Sequence, residues 1–83
     1  MHYEEALRGA TEILKSHAKV DRPIKPSDNI QSDLGLDSLE VMEVVADVED
    51  RYSIEVPTEA LDKFVTVEDM ARALITLSGP ARP

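Results

Sequence analysis

Apolar residues recur at spacings of three and four in three separate stretches of the chain, and this pattern constrains the fold more than any other feature. Such spacing places side chains on one face of an α-helix. The three stripes are Tyr3, Ala6, Leu7, Ala10, Ile13 and Leu14; Val41, Val44, Val45, Val48 and Tyr52; and Val67, Met70, Ala71, Leu74 and Leu77. The pattern therefore predicts an all-α fold with three main amphipathic helices.

Two of these helices begin at residues that cap a helix. Asp37 with Glu40 three residues later predicts a capping box at the start of the second helix. Thr66 with Asp69 predicts another at the start of the last helix. The first helix is expected to end near Ala18.

A long connection is predicted over residues 19–36, because Pro23 and Pro26 cannot continue a helix. Four isolated apolar residues within it are expected to attach it to the core: Ile24, Ile30, Leu34 and Leu36. A short helical turn is predicted over 58–63, after Pro57. The predicted fold is a small four-helix bundle of three main helices and one short helix, with a long loop between the first two main helices.

The length of 83 residues predicts a single domain over 1–83, with its core at about 3–77. Gly79 and Pro80 are expected to end the last helix, and 78–83 to form a flexible tail. The start of the chain lacks the pattern of a secretory signal, and no apolar stretch is long enough to cross a bilayer. We therefore expect a cytoplasmic location, no membrane span and a monomer.

The net charge of −8 is concentrated in the middle of the chain. Residues 28–69 carry a net charge of −11, whereas 1–27 carry +1 and 70–83 carry +2. Nucleic-acid binding is not expected, because it depends on lysine and arginine. The acids serve either solubility alone or the recognition of basic partners.

The residue types required for catalysis or metal binding are scarce. The chain has no cysteine, which excludes disulfides and thiolate metal sites. His2 and His17 are far apart and are interpreted as solvated side chains, not as ligands or catalytic bases. An EF-hand with Gly35 at its sixth position would place Ile30 and Val41 at ligand positions, which excludes it. The sequence therefore predicts no catalytic residues and no metal site.

The run from Leu34 to Glu40, Leu-Gly-Leu-Asp-Ser-Leu-Glu, is the segment with chemical significance. It resembles the prosthetic-group attachment motif of acyl carrier proteins, in which a serine between Asp and Leu begins the second helix. The segments from Tyr52 to Pro57 and from Thr66 to Asp69 are also similar to that family. The resemblance covers roughly residues 3–77.

The resemblance implies that Ser38 carries 4′-phosphopantetheine derived from coenzyme A, with Asp37 and Leu39 in support. Independently, a helix start suits the phosphodiester of such an arm, because it offers free N–H groups and partial positive charge. The family's role is to hold acyl groups as thioesters without catalysing a reaction. The implied partners are a phosphopantetheinyl transferase and the acyl-loading and acyl-processing enzymes of fatty acid or polyketide synthesis, such as ketosynthases and acyltransferases.

The outward side of the second helix is the predicted partner surface. Helical spacing places six residues there: Leu39, Met42, Glu43, Ala46, Asp47 and Asp50. An apolar centre with a charged rim is typical of a binding patch, and in the family this helix docks partner enzymes. Two alternatives remain open: an aminoacyl or peptidyl carrier, and a small helical adaptor without a prosthetic group. The core is either an ordinary packed interior or one that also shelters an acyl chain.

Overall fold

The computed structural model describes residues 1–78. It contains four helices, in the order α1 (Tyr3–His17), α2 (Ser38–Tyr52), α3 (Thr58–Leu61) and α4 (Val67–Ser78). Over those residues the only extended pairing is an isolated antiparallel bridge between Asn29 and Thr66. The predicted fold class is confirmed: three main helices, one short helix and a long loop between α1 and α2.

The last described residue, Ser78, belongs to a helix and not to the predicted tail. Helix α4 continues through Ser78, one residue beyond the predicted core. The predicted helix stop at Gly79 and Pro80, and the rest of the predicted tail, lie outside the described residues. Over residues 1–78, no helix combines the length and apolar character that a membrane crossing requires.

The core lies where α1 packs against both α2 and α4. The three predicted stripes and the loop supply its buried side chains: Ala6, Ala10, Ile13, Leu14, Ile30, Leu34, Leu36, Val41, Val44, Val45, Val48, Phe64, Val67, Met70, Ala71 and Leu74. Three stripe residues, Leu7, Tyr52 and Leu77, are only half-buried. Tyr3 is exposed, and the guanidinium of Arg72 lies 5.7 Å from its ring centroid. The apolar periodicity thus identified the core correctly except at the margins of the stripes.

The loop between α1 and α2 is fastened to the start of α4 by backbone hydrogen bonds. The Ile30 amide donates to the Val65 carbonyl at 2.9 Å, and the Val67 amide donates to the Asp28 carbonyl at 3.1 Å. The Glu68 amide donates to the Pro26 carbonyl at 2.9 Å. The bonds from Val67 and Glu68 satisfy two amides that the first turn of α4 leaves without intrahelical partners.

One side-chain cluster holds this part of the loop in shape. Arg22 binds the Asp28 carboxylate through both terminal nitrogens, at 2.9 and 3.1 Å, and the Lys25 amide donates to the same carboxylate at 2.7 Å. The Arg22 guanidinium, followed by the Lys25 amide, holds the pKa of Asp28 below its usual range. The Asp28 side chain is 9% exposed, so this charge is almost buried and fully paired.

Gly9 has a structural role that spacing alone does not reveal. It is buried in the middle of α1, where glycine ordinarily weakens a helix. A Cβ at this position would lie 1.6 Å from the hydroxyl oxygen of Tyr52. Because Gly9 has no side chain, it leaves space on α1 for Tyr52, the last residue of α2.

Candidate functional site

Ser38 is the first residue of α2 and is exposed. The Glu40 amide donates to the Asp37 carboxylate at 2.8 Å, and the Asp37 amide donates to the Glu40 carboxylate at 3.2 Å. This reciprocal pair confirms the predicted capping box and sets the position at which the helix begins. The backbone of Ser38 is thereby held between two capping residues, and within residues 1–78 its side chain makes no hydrogen bond.

The first turn of α2 retains free amide donors. The Glu40 amide is taken by the Asp37 side chain, and the Val41 amide by the Asp37 carbonyl at 2.9 Å. Within residues 1–78, neither the Ser38 amide nor the Leu39 amide has a hydrogen-bond acceptor. Two free N–H groups at the positive end of a helix suit an anionic group beside Ser38.

Lys19 ties the loop before Ser38 to this helix start, a connection that the sequence did not reveal. Its amide donates to the Leu34 carbonyl at 2.9 Å, and its ammonium pairs with the Glu40 carboxylate. The stem of Lys19 lies 3.4 Å from where a Cβ would stand on Gly35, whose φ of 74° favours glycine. The Lys19 ammonium, followed by the Asp37 amide, lowers the pKa of Glu40.

The outward side of α2 has the exposure predicted from helical spacing. Leu39 is 70% exposed and Met42 is 51% exposed, both high values for large apolar side chains. The other four residues of the predicted partner surface are also exposed: Glu43, Ala46, Asp47 and Asp50. On the opposite side of the helix, Val44 and Val48 are fully buried. The six residues thus share one solvent-facing side that begins beside Ser38.

His17 is not the solvated side chain that the sequence indicated. Its Nε2 lies 2.7 Å from Oδ2 of Asp47, and its side chain is only 20% exposed. The last turn of α1 lies against α2, so that a residue interpreted as isolated pairs with an acid thirty positions later. Asp47 remains on the predicted partner surface, but its carboxylate already has a partner within the molecule.

The end of α2 is also held by polar contacts. Arg51 reaches back to Glu12 of α1 at 2.8 Å, which raises the pKa of Arg51, and its guanidinium lies 5.5 Å from the ring centroid of Tyr52. The Glu49 carboxylate accepts a hydrogen bond from the Val56 amide at 2.8 Å. The C-terminal end of α2 is therefore fixed both to α1 and to the segment that follows it.

The chain matches known proteins over most of its length, including the segment around Ser38. A family model described as "Phosphopantetheine attachment site" matches residues 9–74. The acyl carrier protein of Prochlorococcus marinus (strain MIT 9515) is 34% identical over 80 residues, covering 95% of this chain and 100% of that protein. The chain belongs to the acyl carrier protein family.

Two further comparisons are consistent with this assignment. The acyl carrier protein of Streptomyces coelicolor is 49% identical over 51 residues, or 61% of this chain and 55% of that protein. A solved structure has a TM-score of 0.75 and 29% identity, over 93% of this chain and 99% of the other. Its title is "Novel Structural Components Contribute to the High Thermal Stability of Acyl Carrier Protein from Enterococcus faecalis".

Family membership establishes the general role of the chain. Acyl carrier proteins are carriers, not catalysts, and they hold a covalently attached 4′-phosphopantetheine. Membership also implies interaction with synthase enzymes and with a phosphopantetheinyl transferase. The donors at the start of α2 fit such an arm, because an exposed hydroxyl lies at the positive end of a helix beside two amides that have no acceptor within residues 1–78.

Proposed function

We propose that Ser38 is the attachment point of the phosphopantetheine arm, and that the chain carries acyl groups on it between the enzymes of fatty acid or polyketide synthesis. The observation that carries the proposal is the exposure of Ser38 at the first position of α2, beside two amides without acceptors within residues 1–78. The hydroxyl is accessible to a modifying enzyme, and the amides of Ser38 and Leu39 offer hydrogen-bond donors to the phosphodiester that would form there.

The arm, when attached, supplies the thiol on which an acyl group is held as a thioester. The chain has no cysteine, so no protein thiol competes for the acyl group. Asp37 and Leu39 support the site in different ways. Asp37 fixes the helix start through the capping box, and Leu39 presents an exposed apolar side chain next to the modified serine.

The exposed side of α2 supports docking of a basic partner enzyme. Leu39 and Met42 provide an apolar centre, and the acids along the helix attract lysine and arginine on a partner. The acid-rich α2 also favours an acyl carrier over an aminoacyl or peptidyl carrier, in which this helix is generally less acidic. The transferase, the acyl-loading enzymes and the ketosynthases are the partners that we assign to this surface.

Mass spectrometry after arm transfer tests the proposal. The purified chain is incubated with coenzyme A and a broad-specificity phosphopantetheinyl transferase. We expect the added mass of one arm, mapped to Ser38, and no addition to Ser38→Ala. Ser32→Ala removes another exposed serine just before the site, and it is expected to accept the arm as the wild type does. Addition at another residue, or none with several transferases, would overturn the proposal.

The cargo is tested on the same product. The arm-bearing chain is offered malonyl-coenzyme A with an acyltransferase and, separately, an amino acid with an adenylating enzyme. We expect an increase in mass from the acyl group alone. Loading by the amino acid alone would replace the acyl proposal with the aminoacyl alternative, while leaving Ser38 as the attachment point.

A further inference from the structure

Helix α2 carries five acids, of which Glu49 accepts a hydrogen bond from the Val56 amide, and the other four differ in their internal contacts. Glu40 pairs with Lys19, and Asp47 pairs with His17. Glu43 and Asp50 have no ion pair or side-chain hydrogen bond with any other residue in 1–78. Paired and unpaired acids therefore alternate along the helix.

Helix geometry separates these acids into two rows. At about 100° per residue, Glu40 and Asp47 lie within about 20° of each other, and so do Glu43 and Asp50. With Leu39 taken as the centre of the outward side, because it lies opposite Val48, the unpaired row lies about 20–40° from the centre and the paired row about 80–100° from it, towards α1. The paired acids thus form one margin of the surface that is centred on Leu39.

We propose that Lys19 and His17 screen Glu40 and Asp47, so that a basic partner is attracted mainly through Glu43 and Asp50. This inference rests on the proposed docking surface. A cation of the partner that approaches Glu40 meets the ammonium of Lys19 a few ångströms away, so that most of the attraction is cancelled. At Asp47 the His17 ring occupies one carboxylate oxygen, and a partner must displace it or use the other. At Glu43 and Asp50 no such competitor stands within residues 1–78.

The proposal differs from a simple effect of net charge. Lys15 lies on α1, four residues before Lys19, and is also exposed, but it pairs with no acid in the described part of the chain. Lys15→Met and Lys19→Met change the net charge equally, and methionine preserves much of the aliphatic stem. Only Lys19→Met exposes a screened carboxylate. Lys15→Met is therefore the matched control.

The experiment measures kcat/KM for arm transfer from coenzyme A, with a broad-specificity transferase whose rate on the wild-type chain falls as salt is added. We expect Lys19→Met to raise kcat/KM about two- to fivefold, the range corresponding to one exposed ion pair, and to steepen the salt dependence. Lys15→Met should produce a smaller rise, and Lys19→Arg should retain the wild-type value.

A double-mutant cycle isolates the screening. In the wild-type background, Glu40→Gln should reduce kcat/KM less than the matched Glu43→Gln does. In the Lys19→Met background the loss in kcat/KM from Glu40→Gln should grow towards that of Glu43→Gln. Glutamine at position 40 still accepts the capping hydrogen bond, so the helix start is preserved.

The His17–Asp47 pair provides an independent test in case Lys19→Met disturbs the start of α2. His17→Leu and Asp47→Asn form an equivalent cycle two turns away from Ser38, and thermal melts by circular dichroism verify that each variant is folded. The inference is overturned if Lys19→Met and Lys15→Met change kcat/KM equally. It is also overturned if the losses in kcat/KM from Glu40→Gln and Asp47→Asn are the same with and without Lys19 and His17. Either result leaves the proposed function intact. A wild-type chain that accepts no arm overturns the proposed function and this inference with it.

Discussion

Helices α2 and α4 begin with the same local device and serve different purposes. Asp37 and Glu40 form a capping box at the start of α2. Thr66 and Asp69 form the equivalent box at the start of α4, with amide-to-side-chain hydrogen bonds of 3.0 and 3.2 Å. Both boxes set a helix start, yet only one of these starts is available to another molecule.

The difference lies in what covers the first turn. The first residue of α2 is the exposed Ser38, and the amides of Ser38 and Leu39 have no acceptors within residues 1–78. The first residue of α4 is Val67, which is fully buried, and its amide and that of Glu68 are taken by carbonyls of the long loop. A capping box therefore defines where a helix begins. The tertiary surroundings decide whether that helix start is exposed to other molecules or is covered by another part of the chain.

The largest expected effect comes from placing the same acid at the first position of both helices. Val67→Asp buries a carboxylate in the core and should lower the free energy of unfolding by about 4 kcal/mol or more, enough to unfold much of the population. Ser38→Asp places an acid at an exposed helix start and should change it by no more than about 0.5 kcal/mol. Urea unfolding followed by circular dichroism measures both. Similar losses of unfolding free energy in the two variants would contradict the distinction between an exposed start of α2 and a buried start of α4.

Removal of either cap should destabilise the protein by a similar, smaller amount, but only removal of the α2 cap should slow arm transfer. Asp37→Ala and Thr66→Ala are each expected to cost about 1 kcal/mol of unfolding free energy. Asp37→Ala should also slow arm transfer, because the backbone of Ser38 loses its fixed position, whereas Thr66→Ala should not. Transfer rates well below the melting temperature of each variant test this difference, and equal rates for the two would remove the positioning role of Asp37.

The smallest expected effect is on the pH dependence of stability. The pKa of Glu40 at the start of α2 and that of Asp28 beside the start of α4 are both lowered by paired cations. A carboxyl whose folded pKa is lowered contributes its full stabilisation above its unfolded value of about 4, and loses it as pH falls through the folded pKa. Glu40→Gln and Asp28→Asn should therefore differ most from the wild type near pH 7, and the difference should narrow towards pH 3.

The two positions should respond unequally. The Asp28 side chain is 9% exposed and that of Glu40 is 25% exposed, so solvent screens the Glu40 pair more strongly. Urea midpoints measured from pH 7 to pH 3 should give the steeper narrowing for Asp28→Asn. A difference from the wild type that stays constant across this range would show that the charges of these pairs contribute nothing to stability.

Features encoded within one or two helical turns were determined by the sequence alone. The capping residues at 37, 40, 66 and 69 act on neighbours three positions away, and the apolar stripes repeat every three or four residues, so adjacent letters carry the whole signal. The placement of Ser38 at the first position of α2 and the exposure of Leu39 and Met42 followed from those local rules. Of the four apolar residues predicted to attach the loop to the core, Ile30, Leu34 and Leu36 are buried, whereas Ile24 is only half-buried.

Contacts between distant segments were decided only by the tertiary structure. Lys19 and Glu40 are 21 positions apart, and His17 and Asp47 are 30 apart, so no periodic pattern connects them. By its residue type Gly9 only weakens a helix, whereas in the structure the Tyr52 hydroxyl occupies the space that a side chain at position 9 would fill. The apolar stripes specify that α1 packs against other helices, but the depth and register of that packing determine which polar groups at the margins meet. Those margins contain the ion pairs of Glu40 and Asp47, whereas Glu43 and Asp50 have no such pair within residues 1–78.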